Sequence, residues 1–204
     1  YNSMPYKERS LNKIFKGIKE KCSLWGIPNI IIDQAKIIYS KLSNTKISRG
    51  SNRKGLEGTC VYMACKNHNV PRSAKEIAKI FNITISEMTK GIKIYKDIMK
   101  QFNSNCNREK DKVNFSLQAS KPDDYLDRFC SNLNFTNEEK DLCKQISNKA
   151  VVLNIVSDNT PASIAAGTIF LMSIIKKMNI TKTEIAEACK ISEVTISKCF
   201  KKLY

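Results

Sequence analysis

A chain of 204 residues is long enough for one large domain or for two of about one hundred residues each. Its 35 Lys and Arg against 19 Asp and Glu leave a net charge of +16, which favours polyanions such as nucleic acid or acidic protein surfaces. Eight cysteines scattered singly through apolar-periodic stretches argue against a disulfide scaffold and fit a reduced, intracellular protein, while the longest apolar run, Ala162 to Ile175, is shorter than the ~20 residues that span a bilayer and reads as a buried helix.

Apolar spacing at the helical period predicts helices from Lys7 to Ser23, Asn29 to Leu42, Arg53 to Asn69, Ala74 to Phe81 and Ile85 to Gln101, broken by WGIPN, SNTKISRGS and NVPRS. Residues 103–121 are polar and aperiodic, as a linker is. Five further helices start near Asp123, Asn137, Pro161, Lys182 and Glu193. Strand alternation is absent throughout, so the fold class is all-α, with domains at 1–102 and 122–204.

The two halves repeat each other. A shift of 108 residues (184 − 76) lays KEIAKIFNITISEMTKGIK, from Lys75, over TEIAEACKISEVTISKCFK, from Thr183. The same shift superposes GTCVYMAC, from Gly58, on AGTIFLMS, from Ala166. Glu76, Ile77, Ala78, Ile83, Lys90 and Lys93 recur as Glu184, Ile185, Ala186, Ile191, Lys198 and Lys201. The capping residues Ser73 and Thr84 recur as Thr181 and Ser192.

Thr181-x-x-Glu184 is a capping box that starts one short helix, and Ser192 caps the next. The CKI between them leaves room only for a tight turn, the organisation of a helix-turn-helix. In the second helix Ile196, Cys199, Phe200 and Leu203 form one apolar stripe. The opposite face carries Val194, Ser197, Lys198 and Lys201, with Thr195 on its flank. Such a face suits a major groove, a Val or Thr methyl meeting a thymine methyl and Lys meeting phosphate or guanine. Capped helix pairs with a lysine-rich outer face also occur in all-helical domains that never touch DNA; repetition and charge tilt the balance toward binding.

SRGSNRKGLEGTCVYMACKNHNVPRSAKEI (from Ser48), LDRFCSNL (from Leu126), NKAVVL (from Asn148) and TPASIAAGTIFLMS (from Thr160) resemble the core domain of the transcription initiation factor IIB family, which has two cyclin-like repeats. The resemblance covers nearly the whole chain in order, and RFCSNL points to the eukaryotic factor. It implies a nuclear, monomeric scaffold that clamps TATA-binding protein on promoter double-stranded DNA and helps to recruit RNA polymerase II. It further implies that the helix-turn-helix of the second repeat reads the groove upstream of the TATA element, with Val194 and Ser197 at the base-contact positions. Ser197 stands where the family usually has Arg, so the bidentate guanine contact cannot form. The implied DNA-binding set in the second repeat is Lys182, Thr183, Val194, Thr195, Ser197, Lys198 and Lys201. In the first it is the loop Arg49, Gly50, Ser51, Asn52 and Arg53, ahead of the third helix, with Ser51 in place of the family Arg. Asp158-Asn159-Thr160-Pro161 keeps only the Thr-Pro helix start of the family's Gly-Arg-Ser-Pro.

Cys60, Cys65 and His68 are close in sequence but wrongly spaced for a metal site, and core cysteines are expected instead. With one histidine and no nucleophile beside a base, no catalytic constellation is present and an enzyme is not expected. Trp25 and the tyrosines fall within apolar periodicity and are expected to pack. The chain has the look of an excised core, and the family's zinc ribbon would lie in an N-terminal part outside it; no cofactor is expected within it. Two rivals share these features: a cyclin-type regulator that binds a kinase, and a stand-alone helix-turn-helix DNA-binding regulator.

Overall fold

The structure, a computed structural model, describes residues 5–45, 50–105 and 120–204. Its helices are α1 Tyr6–Leu24, α2 Asn29–Thr45, α3 Gly50–Asn67, α4 Ala74–Phe81, α5 Ile85–Asn105, α6 Asp123–Asn132, α7 Asn137–Val152, α8 Pro161–Ile175, α9 Lys182–Cys189 and α10 Glu193–Leu203. Among the described residues there is no strand. Contacts divide the chain into two compact units, Tyr1–Leu117 and Gln118–Tyr204, with five helices in each among the described residues.

Local chemistry sets where these helices start. The Ser73 hydroxyl accepts the Glu76 N–H at 3.2 Å while the Glu76 carboxylate accepts the Ser73 N–H at 2.7 Å. Thr84 with Glu87 and Thr181 with Glu184 repeat the exchange, and Thr136 with Glu139 adds another. Each box satisfies two backbone donors that would otherwise lack partners. The ends of α4 and α9 also match: Asn82 (φ 50°) and Lys190 (φ 56°) are both left-handed, and 190 − 82 is again 108. The next N–H of each turn, from Ile83 and Ile191, returns to Ala78 O and Ala186 O.

Two expectations need correction. The third helix begins at Gly50 rather than Arg53. Gly50 takes φ +57°, a conformation other residues adopt only at a cost, and it admits the helix three residues early. Trp25 does not pack in the core but is 43% exposed, because it caps α1 where Gly26 (φ +65°) turns the chain off the apolar stripe. Tyr6 and Tyr204 are likewise exposed, whereas Tyr39, Tyr95 and Tyr125 are buried as expected.

In the first unit α3 is the central element, meeting α2, α4 and α5; in the second α8 takes that place against α6, α7, α9 and α10. Thr160 caps α8 and Pro161 sits in its first turn, after which a mainly apolar stretch, with Ser163, Thr168 and Ser173 in it, is buried on nearly every side. The helices cross at backbone distance. A Cβ on Gly91 of α5 would lie 2.2 Å from Gly55 O and 2.8 Å from Thr59 Oγ1 of α3. A Cβ on Gly167 of α8 would lie 2.7 Å from Cys199 Sγ of α10. Adding 108 to 59 and 91 gives 167 and 199, so the Thr59–Gly91 pair has become Gly167–Cys199. The missing side chain has moved to the partner helix and the crossing is preserved.

Gly167→Ala should therefore destabilise the second unit by overpacking, by roughly 1–3 kcal/mol. Adding Cys199→Gly should return part of that stability, since the cavity then lies on the α10 side as it does in the first unit. Denaturant midpoints of the two single variants and the double variant measure the coupling, and strictly additive effects would contradict a direct clash.

Candidate nucleic-acid interface

The second repeat presents α10 on the back of α8. Ile196 and Cys199 are fully buried, Phe200 meets the Phe170 ring of α8 edge-on at 5.1 Å, and Leu203 packs behind them. Ile185 and Cys189 of α9 are buried beside this seam, with Ile191 of the turn wedged between. The apolar stripe read from the sequence is thus the buried one. Geometry then forces the opposite side outward.

Val194 is 64% exposed, Lys198 and Lys201 are exposed, and Ser197 is half-buried between them. No ion pair to Lys198 or Lys201 occurs among the described residues. The remaining expected residues are already occupied within the protein. Thr195 is half-buried, its hydroxyl 2.8 Å from Ser192 Oγ and its N–H 3.4 Å from the same atom, so it completes the cap. The Thr183 hydroxyl donates to Glu193 Oε1 at 3.0 Å, and Lys182 Nζ lies 3.7 Å from Glu193 Oε2.

Lys202, which the sequence did not single out, is also engaged. Its ammonium bonds the Asp158 carboxylate and, at 3.2 Å, Asn159 Oδ1. This ties the last turn of α10 to the loop before α8 and holds the Asp158 carboxyl below its usual range. Only the pattern D-N-T-P could have hinted at it, and its lysine partner is more than forty residues away. At the start of α9, the Glu184 carboxyl is held down by the Thr181 N–H and hydroxyl, so the capping box is ionised at neutral pH.

In the first repeat Arg49 lies outside the described residues. Gly50, Ser51, Asn52 and Arg53 are not a loop but the first turn of α3. Gly50 and Asn52 are exposed, while Arg53 is half-buried and acts on Glu57 and Tyr39. Glu57 is only 7% exposed. Burial pushes its carboxyl up, opposed by Lys21, Arg53 and Lys54, and burial together with Glu57 pushes the Tyr39 phenol up to about 12. The positive charge at this helix start is therefore partly spent on a buried acid.

Every cysteine among the described residues is buried and unbridged, Cys60 and Cys65 included. Among the same residues no group of three or more His, Cys, Asp and Glu could hold a metal ion, and no helix is long and apolar enough to cross a membrane.

The family model for the transcription factor TFIIB repeat matches the chain twice, over residues 7–98 and 115–204. A transcription initiation factor IIB-like protein of Acanthamoeba polyphaga mimivirus is 40% identical over 214 residues, covering 100% of this chain and 45% of the viral protein. The transcription initiation factors IIB of Dictyostelium discoideum and Xenopus laevis are 29% and 27% identical, covering 97% and 99% of this chain. The chain spans 57% and 60% of those two proteins.

The buried Glu57 gives a pH signature. Its folded carboxyl titrates above the unfolded value, so the stability it confers is present when it is protonated and is lost as pH rises through the folded value. Glu57→Gln, which keeps the shape without the charge, should make the first unit more stable than wild type at pH 8. That advantage should shrink as pH falls toward about 4. Denaturant midpoints across this range check it, and a constant difference would contradict the assignment.

Proposed function

Because the chain belongs to the transcription factor TFIIB repeat family, with two tandem cyclin-like helical repeats, we propose that it is the core of a general transcription initiation factor. In this reading it binds TATA-binding protein and promoter DNA in the nucleus as a monomer and bridges to RNA polymerase II for preinitiation complex assembly. The family is one of transcription factors and not of enzymes. The mechanism is accordingly positioning. Domains at 1–102 and 122–204, joined by 103–121, act as two grips on one target.

The observation that carries the DNA part is the outward face of α10, where two exposed lysines without an ion pair among the described residues flank an exposed valine. Lys198 and Lys201 hold phosphates, which supplies salt-dependent affinity without reading sequence. Val194 and Ser197 face base edges. A serine hydroxyl lacks the fork that makes a bidentate guanine contact, so the guanine preference of the family is relaxed. Lys182, Thr183 and Thr195 support the helix from behind, and Gly50, Asn52 and Arg53 form a second, weaker contact from the start of α3.

On TATA-containing duplex the chain should shift little alone and strongly with TATA-binding protein. Lys198→Ala with Lys201→Ala should weaken the ternary complex similarly on all upstream sequences and flatten the dependence of log K on log salt by ~0.9 for each phosphate no longer neutralised. Gel-shift titrations at several salt concentrations measure both. A stand-alone regulator would bind without TATA-binding protein, a kinase-binding cyclin would not bind at all, and an unchanged salt slope would remove α10 from the DNA.

A further inference from the structure

We propose that the first two helices of the first repeat form a docking groove for an acidic, amphipathic helix of a protein partner. Nothing in this depends on the DNA reading of α10.

The duplication supplies the comparison. The ends of α1 and α6 match at the 108-residue shift (133 − 25), Cys22 O accepting the N–H groups of Trp25 and Ile27 as Cys130 O accepts those of Leu133 and Phe135. The starts of α2 and α7, at Asn29 and Asn137, match as well. Whatever the fold itself needs should therefore recur in both places. The outer surface does not recur. Leu24, Ile30 and Ile37 are well exposed, while their equivalents Asn132, Glu138 and Gln145 are exposed and polar. Single exposed apolar residues need no explanation, but a group of them that the duplicate lacks marks an interaction surface.

Between the two isoleucines lies a notch. A short turn joins α1 to α2, so the helices run antiparallel, and at their far ends Lys7 Nζ donates to Asn44 Oδ1 at 3.0 Å. Ten residues along α1 from Lys7 is Gly17, and ten back along α2 from Asn44 is Gln34, midway between Ile30 and Ile37. A Cβ on Gly17 would meet nothing within 4 Å. The equivalent residue of the second repeat (17 + 108) is Tyr125, which is buried. One repeat thus carries an aromatic side chain where the other is open. Ile30 and Ile37 stand about 10 Å apart along α2, two turns, which is the spacing of anchors on a helix laid in a groove.

Charge narrows the partner. Residues 6–45 carry eight Lys or Arg and three Asp or Glu, whereas the equivalent residues 114–153 carry five and six. Lys13, Lys16, Lys19 and Lys41 of the first set are exposed. Apolar walls within a basic rim complement a helix that has an apolar ridge and acidic flanks. A second copy would bring the same positive rim against itself, and like charges so placed repel. Nucleic acid suits the lysines but has no use for the isoleucines, since phosphate contacts are polar.

The test selects a displayed library of peptides about four helical turns long on the 204-residue chain, then titrates the selected sequences against wild type and two variants. Ile30→Gln with Ile37→Gln removes the apolar walls without changing charge, and Gly17→Tyr fills the notch as the second repeat does. The isoleucines are exposed and Gly17 borders open space, so the fold is retained, which thermal melts check. Selected sequences should carry Leu or Phe at helical spacing with Asp or Glu on the flanks. Each variant should bind them at least about tenfold more weakly, and added salt should weaken binding to wild type. Selection without acidic enrichment, or sequences that bind the variants as tightly as wild type, would overturn the proposal. A wild-type dimer in sedimentation that the isoleucine double variant dissolves would give the face to a second copy instead. A short DNA duplex whose affinity falls about tenfold with Gly17→Tyr would give it to nucleic acid.

Discussion

Everything this protein offers at its second repeat depends on how closely α10 lies against α8. Gly167 has no room for a side chain because Cys199 occupies it, and the two backbones approach as near as a methyl group would forbid. That contact fixes which side of α10 is inside. Once Ile196 and Cys199 are buried, Val194, Lys198 and Lys201 have nowhere to point but out. Interior packing leaves little slack for intermediate arrangements, so the lysine face follows from the packing of the apolar one.

The first repeat shows the crossing is a requirement and not an accident of one sequence. There Gly91 of the outer helix lies against the backbone carbonyl of Gly55 on the central helix, with the Thr59 hydroxyl beside it. Two sequences with few identities have reached the same approach, one with glycines on both helices and the other with a glycine on the central helix alone. The tight turn is kept in the same way, with Asn82 and Lys190 at equivalent left-handed positions. Lysine is a less comfortable occupant than asparagine there, so the turn is imposed by the helices on either side of it.

Much of this was legible in the chain because helix starts carry their own chemistry. Ser73, Thr84, Thr181 and Ser192 with their acidic or hydroxyl partners placed four helix boundaries, and the stripe from Ile196 to Leu203 told inside from outside. What was not legible were contacts that cross between elements. The Thr183 hydroxyl and the Lys182 ammonium both meet Glu193, and nothing in a linear pattern reveals an acid that faces back across a turn. Lys202 meets Asp158 only because the fold brings the end of α10 to the loop before α8. At the start of α3 the left-handed Gly50 moved the boundary. Trp25 is exposed for a related reason: it lies past the last residue of α1, at its C-cap, where apolar periodicity no longer tells inside from outside.

The central claim is that the outer face of α10 lies in DNA upstream of the TATA element. A photo-crosslinking residue at Val194, compared with one at the equally exposed Ile30 of α2, tests that directly in the complex with TATA-binding protein on promoter duplex. The account predicts crosslinks from position 194 to upstream bases and none there from position 30. Crosslinks from 194 only to protein, or the same upstream yield from both positions, would contradict it.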